Sequence, residues 1–233
     1  DLAVVEVLPA RAAQLREMFP GVAVTDATPS CSAALIAVKP YDVAAACAAA
    51  AAAGATRLLS IAAGIPLSAL QAAAGPDVVV VRSMPNTPAL VGQGAAAIAG
   101  GATAGPDDLA WAEEILGSVG LVVRVPEHQL DAVTGLAGSG PAYVFLIAEA
   151  LMDAGVLAGL SRADSEALTT QLLVGSAALL QDRGDPARLR AQVTSPGGTT
   201  AAGLRVLEEH AVRSALLEAV MAATRRSVEL GSH

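Results

Sequence analysis

Four short segments carry residue types at spacings that could do chemistry. Val193-Thr-Ser-Pro-Gly-Gly-Thr-Thr200 stands directly before a helix-forming stretch. Gly197 and Gly198 free the backbone, so that consecutive N–H groups can converge, and the positive end of the next helix adds to them. That combination suits an anion such as a carboxylate, and Thr199 and Thr200 add hydroxyls. Helix capping alone needs one Ser or Thr, not a cluster of Gly, Ser and Thr. Ala37-Val-Lys-Pro40 lies at the carboxyl end of an apolar run, where ligands of open α/β sheets bind, and Lys39 is the only lysine of the chain. A solvated strand-end charge is the plain alternative there. Arg82-Ser-Met-Pro-Asn-Thr-Pro88 follows another apolar run. Its two prolines stiffen a loop from which Asn86 and Thr87 offer side-chain hydrogen bonds. Ala137-Gly-Ser-Gly-Pro-Ala-Tyr143 enters a long apolar helix, and its small residues fit either a close ligand or a helix crossing.

The elements that must position these segments fall into two halves. The first alternates short apolar runs with helical stretches. Strands are predicted over 2–8, 21–24, 33–38, 57–61, 77–82, 95–99 and 121–125, with helices over 9–19, 43–53, 67–73 and 106–117. Val78-Val-Val-Val81 is apolar on both faces, as a parallel strand covered by helices must be. The expected fold class is therefore α/β, a Rossmann-like doubly wound parallel sheet over residues 1–126. From 127 to 233 only helical periodicity remains, with helices expected over 130–133, 141–154, 162–181, 201–210 and 212–230. These helices are apolar around most of their circumference, so this all-α C-terminal region is read as an oligomerisation bundle.

Composition narrows the function classes. Apolar residues make up 54% of the 233, with only one Trp, two Tyr and two Phe, so the core is built from Ala, Val and Leu. A net charge of −8 provides no basic face for nucleic acid. The longest membrane-span candidate is taken to be the alanine-rich Val43 to Thr56, which is too short and too weakly apolar to cross a bilayer. Asp1 leads directly into a strand-like run, with no signal peptide in view. Cys31 and Cys47 form no disulfide framework and have no metal-ligating neighbours, and His128, His210 and His233 are scattered. A cytoplasmic protein without a metal or a membrane partner is the expectation. Gly231-Ser-His233 reads as an expression scar.

Together, Arg82–Gly94, Asp131-Ala-Val-Thr-Gly-Leu-Ala-Gly-Ser-Gly-Pro-Ala-Tyr143 and Val193–Thr200 resemble the signatures of Δ1-pyrroline-5-carboxylate reductases. Ala37–Pro40 and Ala62-Ala-Gly64 fit the same family, in its order and spacing, from Leu2 to about Leu230. Members of that family open with a strand and a glycine-rich turn resembling G-x-G-x-M-A. This sequence starts at what reads as the second strand, about 30 residues later, the size of one strand–turn–helix unit. Those residues are expected to belong to the native protein.

The resemblance implies reduction of 1-pyrroline-5-carboxylate to L-proline, the last step of proline biosynthesis, by hydride from NADPH or NADH. It places the backbone N–H groups of Gly197, Gly198, Thr199 and Thr200 on the substrate carboxylate. It puts the Thr200 hydroxyl at the ring nitrogen as the catalytic group, with Gln192 and Ser195 also at the substrate. Val38, Lys39, Pro40, Ala62, Asn86 and Thr87 line the cofactor site, and Glu6 meets the adenosine ribose. Glu6 followed by Val7 favours NADH through like-charge repulsion of a 2′-phosphate, whereas Arg11 one turn later would accept NADPH. The family also implies a homodimer, with decamers built from dimers. A hydroxyacid dehydrogenase or imine reductase of the same architecture, or a non-catalytic scaffold, are the alternatives.

Overall fold

The computed structural model describes residues 2–231, so the readings that rest on Asp1, Ser232 and His233 lie outside the described residues. The chain forms two compact units: residues 1–138 joined by the end of the last helix from Thr224, and residues 139–223.

In the first unit, β1 (Ala3–Val5), α1 (Pro9–Met18) and β2 (Ala23–Thr25) form a two-stranded parallel sheet. The strands β3 (Ala33–Ile36), β4 (Arg57–Ser60), β5 (Val79–Met84), β6 (Gly94–Gly100) and β7 (Gly120–Arg124) form a second sheet in that sequential order. Alternate residues of its strands enter opposite cores, because successive strand side chains point to opposite faces. Leu58, Val80 and Ala97 pack beneath α2 (Val43–Ala52), α3 (Leu67–Ala74) and α5 (Leu130–Val133). Leu59, Val81 and Ile98 pack beneath α4 (Pro106–Gly117). Both faces are covered, which accounts for the unbroken Val78–Val81 run.

The sheet departs from the expected all-parallel arrangement in two ways. Strand β6 runs antiparallel to β5, with Val81 opposite Gly100 and Met84 opposite Ala97. The 85–93 connection is too short for the crossover that a parallel pair needs, and Gly92 turns it at φ +71°. The strands β1 and β3 also do not pair, so each leaves an open edge, and Val5 and Leu35 are exposed on these strands. The charged pair at the far edge is Arg124 of β7, whose guanidinium lies 2.5 and 2.6 Å from the two Glu113 oxygens. Hydrogen bonding to Arg124 holds the Glu113 carboxyl below the ordinary carboxylate range. Burial on the core face of α2 pushes the Cys47 thiol up.

A continuous helical run follows, in which α5 passes through a π-helical turn, Thr134–Gly138, into α6 (Gly140–Leu157). This joins two helices expected to be separate and corrects the membrane-span reading. Glu127–Leu157 is long and apolar enough to cross a membrane by length and composition, whereas Val43–Ala52 is a core helix. The Gly, Ser and Thr residues of 134–140 looked like a break, but the wider turn keeps the helix going.

In the second unit, α6 packs on α7 (Arg162–Arg183). The two helices approach closely where Gly155 meets Ser165: a Cβ on Gly155 would lie 2.1 Å from the Ser165 hydroxyl, which donates to the Met152 carbonyl at 2.6 Å. The short α8 (Pro186–Gln192), which the sequence reading missed, precedes α9 (Thr199–Glu209) and α10 (Val212–Gly231). Asp185 caps α8 through its carboxylate, which accepts the Arg188 N–H at 3.1 Å. Ala148 is the one described residue buried on α6, while Phe145 and Leu146 are 62% and 66% exposed.

Candidate functional site

In the first unit, parallel register places the predicted cofactor residues at one edge of the sheet. Ile36, Ser60 and Arg82 stand opposite one another in β3, β4 and β5. Val38 and Lys39, Ala62, and Asn86 and Thr87 therefore lie together just beyond the carboxyl ends of three adjacent strands. Lys39 and Pro40 are exposed at the start of a single 3-10 turn that leads into α2. Ala62 is buried, with its N–H on the Ser60 hydroxyl at 3.3 Å, so it shapes its loop from beneath.

The Asn86 side chain is engaged at both ends. Its Oδ1 accepts the Ala95 N–H at 2.8 Å, and its Nδ2 donates to the Ala137 carbonyl at 3.1 Å. The two backbone partners fix the orientation of the amide, and they tie the loop after β5 to the start of β6 and to the π-helical turn. Met84 reinforces the same junction: a Cβ on Gly138 would fall 2.5 Å from its methyl carbon. Asn86 thus shapes the loop, while Thr87 is the exposed member of the pair.

A network missed from sequence braces this edge. The Glu127 Oε1 accepts both the Arg82 guanidinium at 3.1 Å and the Leu67 N–H at 2.6 Å. Arg82 is buried, and it holds the start of α3 to β5 through that carboxylate. Nothing in the local pattern around Arg82 announced a partner 45 residues away.

Glu6 lies just past β1, and its carboxylate accepts the Leu8 N–H at 2.8 Å. It lines a cleft of about 490 Å³ with Val7, Ala12, Thr25 and Asp26. The base in that cleft is Arg16, which also donates to the Val24 carbonyl at 3.0 Å. Arg11, predicted from its position one turn after Glu6, instead turns outward to Gln14 at 3.1 Å. Arg11 and Arg16 stand five positions apart on α1, so they leave the helix in different directions, and Arg16 reaches the Val24 carbonyl of β2.

In the second unit, the 193–200 loop, predicted as an anion cradle, leads directly into α9. Thr194 closes the end of α8, its hydroxyl donating to the Arg190 carbonyl at 2.6 Å. Gly197 adopts φ +70°, a left-handed conformation that favours glycine. Gly198 comes so close to Ser195 that a Cβ would lie 2.4 Å from its hydroxyl oxygen. The Gly198 N–H donates to the Ser195 carbonyl at 3.0 Å, so it is not a free donor as expected. The first helical bond of α9 is from the Ala202 N–H to the Gly198 carbonyl, which leaves the N–H groups of Thr199, Thr200 and Ala201 at the helix start. Ala201, rather than Gly198, thus joins Thr199 and Thr200 in having its N–H ahead of the first helical bond. Thr200 is half-buried and Thr199 exposed. Gln192, at the end of α8, lines a separate cleft of about 340 Å³ with Leu179, Arg183 and Arg188.

Comparison with known proteins shows the family to which the chain is similar. A family model described as pyrroline-5-carboxylate reductase dimerisation matches residues 127–230. The pyrroline-5-carboxylate reductase of Mycobacterium tuberculosis is 43% identical over 259 aligned residues, covering 99% of this chain and 88% of that protein. The Synechocystis enzyme of the same name is 53% identical over 175 residues, covering 75% of this chain. That alignment spans 65% of the relative, less than two thirds of its length. Among solved structures, a pyrroline-5-carboxylate reductase from Coxiella burnetii is 33% identical with a TM-score of 0.91, covering 98% of this chain and 87% of that one. The pyrroline carboxylate reductase of Plasmodium falciparum, solved with NADP bound, is 27% identical with a TM-score of 0.83, covering 99% of this chain and 98% of that one.

Proposed function

The chain belongs to the pyrroline-5-carboxylate reductase family, and on that premise we propose that it reduces 1-pyrroline-5-carboxylate to L-proline, the last step of proline biosynthesis. The observation that carries this reading is the start of α9, where Thr199, Thr200 and Ala201 present backbone N–H groups beside the Gly197–Gly198 turn. A carboxylate bound there is held by oriented dipoles, and Ser195 shapes the turn from below.

Bound NADPH or NADH supplies a hydride to the carbon of the C=N bond. The ring nitrogen gains the electron pair of that bond and ends as the protonated amine. An iminium already protonated by solvent needs no strong acid from the chain. Thr200, half-buried next to the cradle, holds its hydroxyl for the ring nitrogen, and Gln192 lies at the end of the preceding helix. The protein's contribution is held geometry, worth several kcal/mol when the reacting atoms are pre-aligned.

The dinucleotide fits the first unit by the chemistry of its donors. The carboxyl ends of β3, β4 and β5 present Val38, Lys39, Pro40, Ala62 and Thr87 for the nicotinamide end, and the cleft at Glu6 suits the ribose. Glu6 disfavours a 2′-phosphate, whereas Arg16 in the same cleft attracts one, so both cofactors are accommodated. The open edges of β1 and β3 leave room for a further strand to pair with them.

We assign residues 1–126 to dinucleotide binding and residues 127–233 to substrate binding and dimerisation, a division that the family match from residue 127 supports. The exposed apolar face of α6 is covered by a second copy of the chain, not by a bilayer, in a homodimer from which decamers can be built. The enzyme acts in the cytoplasm and engages no nucleic acid.

The test is dinucleotide oxidation by the full-length protein with 1-pyrroline-5-carboxylate, comparing NADH with NADPH. Proline is the expected product. Thr200→Ala should lower kcat at least ~10-fold, as loss of a positioned donor does, with dinucleotide affinity unchanged. No turnover with either cofactor would overturn the reading, and loss of dinucleotide binding in Thr200→Ala would overturn the role of that residue.

A further inference from the structure

The end of α10 meets the loop after β4 through contacts that the mechanism above does not use. Ser227 is the buried residue of α10, 6% exposed, and its hydroxyl donates to the Asp131 carboxylate of α5 at 2.6 Å. One turn further on, Leu230 and Gly231 lie against Gly64. A Cβ on Gly64 would sit 3.9 Å from the Leu230 Cβ, and a Cβ on Gly231 would sit 3.3 Å from the Gly64 carbonyl oxygen. Gly64 itself adopts φ +77°.

The loop is pinned at its two ends. The Ile61 N–H donates to the Ile36 carbonyl at 3.1 Å and the Ala62 N–H to Ser60 at 3.3 Å. At the far end the Leu67 N–H donates to Glu127 at 2.6 Å. Between these ends Ala63 and Gly64 form a turn, and that turn packs against the end of α10. The end of α10 in turn is anchored by a charge-assisted hydrogen bond, the stronger class of such bonds.

We propose that Ser227 is a positioning residue of the dinucleotide site: bound to Asp131, it holds Leu230 and Gly231 against Gly64 and so fixes the loop after β4. The inference rests on the reading that this loop lines the nicotinamide end of the cofactor site. It makes dinucleotide affinity depend on a hydroxyl that touches neither cofactor nor substrate.

The test uses the full-length protein, NADPH fluorescence titration, steady-state kinetics and thermal melts. Ser227→Ala should raise the NADPH Kd and KM about three- to ten-fold while kcat stays within about twofold, the outcome of a loosened binding loop with intact chemistry. Asp131→Asn keeps an acceptor for the Ser227 hydroxyl and should bind NADPH nearly as the parent does, whereas Asp131→Ala should behave like Ser227→Ala. Lys39→Ala serves as the control on the site itself. If Lys39→Ala weakens NADPH binding and Ser227→Ala does not, the positioning role is refuted while the site reading stands. If neither variant alters binding, the placement of the cofactor at this edge falls, and the inference with it. A Ser227→Ala protein with a lowered Tm but an unchanged Kd would mark the bond as merely structural and overturn the proposal.

Discussion

Asn86 offers a sharp test of how the cofactor edge is built. Its amide accepts from Ala95 at 2.8 Å and donates to Ala137 at 3.1 Å, both partners being backbone groups in a half-buried junction. Asn86→Ala leaves an N–H and a C=O without partners. Each orphaned group costs ~1–3 kcal/mol when buried, and partial exposure puts the sum at about 2–3 kcal/mol. For a chain of this length that corresponds to a fall in Tm of roughly 4–12 °C. Asn86→Asp is more discriminating, because the carboxylate keeps an acceptor for Ala95 but turns a second oxygen towards the Ala137 carbonyl. Protonation restores a donor there, so the folded state favours the protonated acid and raises its pKa above the unfolded value of ~3.9. The penalty is therefore absent below that value and grows as the pH rises through it. Thermal melts of the parent and both variants between acid and neutral pH read this directly. Asn86→Asp should melt with the parent in acid and well below it at neutral pH, whereas Asn86→Ala should show the same deficit throughout. Parent-like melting of Asn86→Ala, or a pH-independent deficit in Asn86→Asp, would refute the argument.

Two further outcomes follow from the surface of each unit. Glu113 is held below the ordinary carboxylate range by its hydrogen bond to Arg124, so it adds stability that is present above the unfolded carboxylate pKa and lost as pH falls through the lower folded value. The gap in Tm between the parent and Glu113→Gln should close on acidification, and a gap that stays constant into strong acid would remove the claim. Leu146 is 66% exposed on α6, so Leu146→Asp should leave the single chain folded but place a charge in the dimer interface. Sedimentation should show a shift towards monomer, and an unchanged oligomer would show that α6 lies outside the interface.

Much of the architecture was legible in the residues themselves. Short, unbroken apolar runs located β3 to β5, and the switch to helical periodicity after Val125 marked where the strands stop. The Gly197–Gly198 pair before a helical stretch marked a tight turn, and Gly197 there adopts φ +70°, a conformation that favours glycine. Where local patterns failed, a local rule was overridden from a distance. The chain stays helical through a π-helical turn at 134–138, where two separate helices were expected, and Asn86, some fifty positions earlier, donates to the Ala137 carbonyl in that turn. The reversal of β6 lay in a connection too short to cross over, a consequence of geometry rather than of any residue type.

By itself, the sequence determined which chemistry the chain can carry: the oriented N–H groups and hydroxyls of 193–200, the single lysine at a strand end, and the apolar faces that must be buried. Only the tertiary structure decided which donors remain free. It directs the Gly198 N–H to Ser195, engages both ends of the Asn86 amide, and puts Arg16 rather than Arg11 beside Glu6. It also joins Ser227 to Asp131 across 96 positions of chain. The reason is physical. Periodicity and turn chemistry are set by neighbours along the chain, whereas a hydrogen bond is assigned by whichever group arrives in space, and burial requires that every donor and acceptor be answered there.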